Sequence, residues 1–84
     1  MRRFLIAGNW KMHCNVAETS ALVEGLTAAG PWPTVDVVVG PPFTSLPTAV
    51  MLLGGSGIGV AAQNVHWESS GAFTGEVSAE MLAE

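Results

Sequence analysis

Apolar and polar positions alternate in blocks along the chain. The first block, FLIAGN, runs apolar from Phe4 and closes on Asn9, which predicts a strand over those residues. Successive side chains of an extended segment point to opposite faces, so Leu5, Ala7, Asn9 and Lys11 share one side, and Phe4, Ile6, Gly8 and Trp10 the other. One face therefore turns from oil to polar chemistry at its carboxyl end. Asn15 with Glu18 three residues on forms a capping box, opening an amphipathic helix that carries Val16, Leu22, Val23 and Leu26. It fades at Ala28-Ala29-Gly30, with PWP beyond as a stop.

VDVVVG, Val35 to Gly40, is a β-branched run without alternation, the pattern of a strand covered on both faces. Pro41-Pro42 break it. Phe43 to Leu53 predict a second helix, capped by Thr44 or Ser45, with Pro47 tolerable in the first turn and Gly54-Gly55 as its end. IGVAAQNV, Ile58 to Val65, is a third strand, and after a long loop Ser78 to Glu84 begin a third helix.

Successive strand-helix units of this kind predict an α/β protein with a parallel sheet and right-handed crossovers. An open doubly wound sheet and an arc of a (β/α)8 barrel both satisfy that order. Side-chain size favours the arc. Ile58, Val60 and Ala62 share one parity and Gly59, Ala61 and Gln63 the other, so one face is large and apolar and the other small, becoming polar. In a barrel the small face lies inside, where strands converge. Ala7 and Asn9 against Ile6 and Trp10 repeat the division on the first strand.

Charge narrows the partners. Only 12% of the 84 residues are charged, about half the usual share, so the chain has more apolar surface than charge to cover it and is expected to need a partner. The formal net charge of −4 argues against a nucleic-acid footprint or a polybasic membrane anchor. Met-Arg-Arg before FLIAG imitates a signal peptide, but the apolar run stops at Asn9 and no cleavage pattern follows. Cys14 alone allows no internal disulfide and suits a reducing cytoplasm. His13 and His66 lack metal-ligand spacing and acidic companions, so no metal site is expected.

Asn9 and Lys11 stand where α/β proteins bind ligands, at the carboxyl end of a strand. A lysine there offers a fixed positive charge and three donors to a phosphate ester or a developing oxyanion. The alternative is a solvated loop lysine beside a turn asparagine. Gln63 and Asn64 end the third strand with the same change of polarity, either as a second pair of site residues or as side chains satisfying backbone groups of the following loop. The loop HWESSGAFTGE, His66 to Glu76, is long and carries Trp67 and Phe73, which reads as a contact loop. GGSGIG, Gly54 to Gly59, follows a helix and opens a strand, the reverse of a dinucleotide fingerprint, and the glycine spacing fails as well.

AGNWKM, GPPF, AAQN and GAFTGEVSAEML together, in order from Phe4 to about Leu82, resemble the amino-terminal part of the triosephosphate isomerase family. The resemblance implies a partial TIM barrel, three parallel strands with their helices in the order β1-α1-β2-α2-β3-α3, with residues 1–84 forming part of one incomplete domain. It implies an aldose-ketose isomerase of glycolysis and gluconeogenesis that interconverts dihydroxyacetone phosphate and glyceraldehyde 3-phosphate through an enediolate, without a cofactor. Lys11 matches the catalytic, substrate-binding lysine, and Asn9 the asparagine beside it in the pocket. The loop around Thr74, Gly75 and Glu76 matches one that reaches into the neighbouring subunit of a homodimer, over Met12, His13 and Cys14.

The family also illustrates how a glutamate base and a neutral histidine electrophile divide the proton chemistry. Neither lies in a matching motif here, and without a base no proton leaves carbon. The expectation is an incomplete barrel, inactive and poorly packed alone, that meets a complementary carboxyl-terminal barrel fragment or self-associates. A complete barrel takes about 250 residues. A noncatalytic self-associating or complementing module is the alternative reading.

Overall fold

The strand blocks become a parallel sheet. A computed structural model describes residues 2–84. Strands β1 (Phe4–Asn9), β2 (Val35–Gly40) and β3 (Gly59–Val60) lie side by side in the order β1-β2-β3. β1 pairs in parallel with β2 from Phe4 opposite Val35 to Asn9 opposite Gly40, and β2 with β3 through Val38 opposite Gly59 and Val39 opposite Val60. Helices α1 (Val16–Ala29), α2 (Leu46–Leu53) and α3 (Ala79–Ala83) follow the three strands in turn. The parallel order and the helices between the strands are the partial barrel that the sequence predicts.

α1 begins as its capping box requires. The Asn15 side chain accepts the Glu18 N–H at 2.9 Å and the Glu18 carboxylate accepts the Asn15 N–H at 3.1 Å. Val23 is buried as predicted, but Val16 and Leu22 are exposed and the second buried position of the helix is Thr19. The covering layer on that side is too narrow to reach the whole apolar stripe.

The second helix departs from its predicted start. Phe43–Ser45 form a 3-10 turn, and α2 opens at Leu46 without a side-chain cap, Pro47 sitting in its first turn. A proline there lacks only an N–H that no carbonyl would have received. β3 is likewise shorter than the predicted Ile58 to Val65. Ala61 N–H still reaches the Val39 carbonyl at 2.9 Å, but the segment leaves the ladder after that bond.

The core sits between the sheet and the first two helices, where Val23, Val39 and Leu53 close on one another and Trp10, Leu26, Ile58 and Val60 pack around them. Val39 and Trp10 therefore mark the helix side. The opposite, inner side carries Leu5, Ala7 and Asn9, then Asp36, Val38 and Gly40, then Gly59. A Cβ at Gly59 would lie 3.2 Å from Val38 Cγ2, so a side chain there would crowd its neighbour on β2.

Much apolar surface stays uncovered. All of β1 is exposed, Phe4 by 78%. The molecule is a slab of 42 × 36 × 21 Å. Its accessible surface is 6188 Å², where a close-packed protein of its mass has about 4,700 Å².

Candidate functional site

Asn9 is the last residue of β1 and lies across from Gly40, the last of β2, so the carboxyl ends of the two strands are level. The Trp10 N–H donates to the Gly40 carbonyl at 3.0 Å and continues the ladder one bond further. The chain then turns. Asn9 Oδ1 accepts the Lys11 N–H at 2.8 Å, a short asparagine turn of the kind that competes with regular structure. Lys11 takes φ 54 and Cys14 φ 77, both in the left-handed region that side chains other than glycine rarely enter.

This corrects the sequence expectation in one respect. Lys11 does not continue the alternation of the strand, because β1 ends at Asn9 and the left-handed turn intervenes. Asn9 holds the main chain of Lys11 and not its ammonium. The two residues are adjacent at the carboxyl end, or rim, of the sheet.

The charge at that rim is uncompensated. Arg3 is engaged at the other end of the sheet, donating to Asp36 at 3.2 Å and to the Pro33 carbonyl at 3.2 Å. Among the described residues the Lys11 ammonium has no hydrogen-bond or ion-pair partner, and its side chain is exposed. Such a group presents three free donors and a full positive charge to an anion.

Gln63 joins this rim from the far side. Its Nε2 donates to the Lys11 carbonyl and to the Gly40 carbonyl, each at 2.8 Å. The side chain satisfies backbone groups, as one of its two sequence readings holds, but those groups belong to the turn after β1 and to the end of β2, not to the loop that follows. No local pattern marks a carbonyl 52 residues away. Asn64 is exposed.

The expected interface residues form two stretches. Met12 is 93% exposed, His13 is exposed and Cys14 half-buried. Thr74, Gly75 and Glu76 are exposed in the long loop, which closes on itself through His66 N–H to the Val77 carbonyl at 2.8 Å and Glu76 N–H to the Phe73 carbonyl at 3.0 Å. His66 stacks on Trp67, with ring centroids 4.4 Å apart, and meets Phe73 in a tilted contact at 4.2 Å. That is a structural histidine.

Among the concavities of the described residues, two lie away from this rim. One, of about 420 Å³, opens at the amino ends of the strands between Arg3, Trp32, Asp36 and Ile58, and an apolar groove of about 640 Å³ runs past Val50, Met51, Val60 and Met81. Among the described residues no three His, Cys, Asp or Glu side chains are grouped to hold a metal. No helix is long and apolar enough to cross a membrane.

Residues 4–84 match the family model of triosephosphate isomerase. Triosephosphate isomerases of Alkaliphilus metalliredigens and Herpetosiphon aurantiacus are each 51% identical to the chain, over 84 and 85 aligned residues, and the alignments cover all of this chain and 34% of the relative. That of Flavobacterium johnsoniae is 51% identical over 83 residues, covering 98% of this chain and 33% of the relative. The chain spans about a third of the length of these curated relatives.

Proposed function

The chain belongs to the triosephosphate isomerase family, and on that premise we propose that residues 1–84 are the amino-terminal part of one barrel domain that isomerises triose phosphates. In the complete barrel dihydroxyacetone phosphate and glyceraldehyde 3-phosphate interconvert, a step of glycolysis and gluconeogenesis that uses no cofactor. Lys11 is the catalytic cation. It draws in the anionic substrate and offsets the charge that grows on the enediolate oxygen, an interaction stronger in the transition state than in the ground state. Asn9 fixes the turn that carries Lys11 and lines the same pocket.

The observation that supports this reading is the Asn9–Lys11 turn itself. An unneutralised cation in left-handed backbone, held at the carboxyl rim of the inner side, is strain kept where chemistry needs it. The base and the electrophile come from the remainder of the barrel. In the assembled homodimer Met12, His13 and Cys14 lie beneath the partner's loop of Thr74, Gly75 and Glu76, and the near-complete exposure of Met12 suits that contact. A lone cysteine supports a cytoplasmic location.

Mixing the chain with a polypeptide carrying the missing strand-helix units, then following isomerisation, tests the proposal. Turnover that appears in the mixture and vanishes with Lys11→Ala supports it. Complex formation without turnover removes it in favour of a noncatalytic assembly module.

A further inference from the structure

A residue other than glycine stays in left-handed backbone only when its surroundings over-determine it. Lys11 is gripped on both sides. Asn9 Oδ1 takes its N–H and Gln63 Nε2 donates to its carbonyl, each at 2.8 Å. Asn9 acts from two residues away, Gln63 from the end of the third strand segment. The second donor of the Gln63 amide goes to the Gly40 carbonyl, which also accepts the Trp10 N–H. Both partners of Gln63 are carbonyl oxygens, so the amide has one permissible orientation, nitrogen toward the rim.

We propose that Gln63 is a positioning residue for Lys11. Its amide ties the peptide that follows Lys11 to the end of β2, which fixes the left-handed turn and with it the root of the lysine side chain at the rim of the inner side. The inference deepens the functional proposal and rests on Lys11 being the cation that meets the anionic substrate. It assigns to the third strand segment a share in placing that charge.

A positioning role and a general stabilising role differ in what a carboxylate does at this position. Gln63→Glu keeps the shape of the side chain but presents an anion to two carbonyl oxygens, with no hydrogen to donate. Protonation, below about pH 4.3 for an ordinary glutamate, returns one donor. The local geometry of Lys11 should therefore be lost at neutral pH and return on acidification, in the same folded chain.

Two measurements on the isotopically labelled 84-residue chain decide the matter. The first is nuclear magnetic resonance of the main chain: the coupling between the Lys11 amide and α protons reports φ, and couplings from the Gln63 amide to the Lys11 and Gly40 carbonyl carbons report the two hydrogen bonds directly. The second is a titration with inorganic sulfate, whose charge is constant over the pH range used, read at the Lys11 side chain. Wild-type chain is expected to show both couplings and a positive φ. Gln63→Glu should lose the positive φ at neutral pH and regain it on acidification, and the uncharged Gln63→Leu, which has no hydrogen to donate at any pH, should bind sulfate about tenfold more weakly than wild type throughout.

Unchanged Lys11 geometry in Gln63→Glu at neutral pH and unchanged sulfate affinity in Gln63→Leu overturn the proposal. Should these variants not fold, the wild-type couplings decide alone: a Gln63 amide without coupling to Lys11, beside a Lys11 that averages over φ, overturns it equally. A Lys11 that is held as described but ignores sulfate separates the two levels. The turn is then positioned by Gln63, and what falls is the reading of Lys11 as the anion receiver.

Discussion

The Ser45 hydroxyl donates to the main-chain carbonyl of Cys14 at 3.0 Å and so joins the start of α2 to the turn beyond β1. Ser45 is wholly buried, and Cys14 is in left-handed backbone at φ 77. The serine occupies the capping position of α2 yet makes no cap bond. Its hydroxyl is spent on a distant loop instead of on its own helix. Replacement by alanine leaves a carbonyl without its partner, and a hydrogen bond of this kind contributes about 1 kcal/mol. Ser45→Ala should lower the unfolding free energy by about 1 kcal/mol, read as a lower urea midpoint at an unchanged slope, and hydrogen exchange should rise at residues 12–14 before it rises in α1. A midpoint unchanged within error would mean that water replaces the hydroxyl without loss.

Asn9 has two separable capacities. Its oxygen accepts the Lys11 N–H, and its NH2 group is a further donor. Asn9→Asp preserves the first and abolishes the second, while adding a negative charge beside the lysine. The turn should persist, with the positive φ of Lys11 intact, and a complemented barrel should bind triose phosphate at least tenfold more weakly. Asn9→Ala, by contrast, should release the turn itself. If Asn9→Asp binds substrate as tightly as the wild-type asparagine, the residue serves the turn alone.

Gly71 governs the shape of the long loop. It has φ +143, and a Cβ there would lie 2.6 Å from Phe73 Cε2, against the ring that packs on His66. Gly71→Ala must push Phe73 off the imidazole or distort the backbone beneath it. The aromatic ring-current shifts of the His66 protons should collapse toward those of an unstacked histidine, and the fluorescence of Trp67, which stacks on His66, should change with them. The urea midpoint should move little, because the loop lies outside the Val23–Val39–Leu53 core. Association with a partner, measured by sedimentation, should weaken if this loop is a contact surface. His66 resonances identical to wild type would show that the ring and the glycine are independent.

What the sequence makes legible, and what it does not, divides by range. β1 and β2 have the predicted ends because apolar runs closed by asparagine, glycine or proline carry their own boundaries. The capping box of α1 is equally local, and both its reciprocal bonds are present. β3 shrinks to Gly59–Val60 because a strand is defined by its neighbours, and only β2 lies beside it. The face carrying Asn9 followed from alternation alone, yet the left-handed turn at Lys11 was invisible, since lysine is not a residue that announces positive φ. Gln63 was legible as polar and misplaced in its partners, for its bonds depend on a register between strands that no short stretch encodes.

Thr19 shows the same limit within the helix, and it offers the sharpest test of the packing. The predicted stripe of α1 gave Val16 and Leu22 to the core, but the structure exposes both and buries Thr19 completely. Its Oγ1 has no hydrogen-bond partner. A hydroxyl removed from water and left unpaired costs on the order of 1–3 kcal/mol, and valine has nearly the same shape and nearly the same helix propensity. Thr19→Val should therefore stabilise the chain by about 1 kcal/mol, raising the urea midpoint without altering the slope of the transition. Thr19→Ala should do worse than valine, because it removes the unpaired hydroxyl and also opens a void beside Val23, one turn along the same face. If valine instead destabilises while serine is neutral, the hydroxyl has a bonding partner and this face of α1 is wetter than its burial implies.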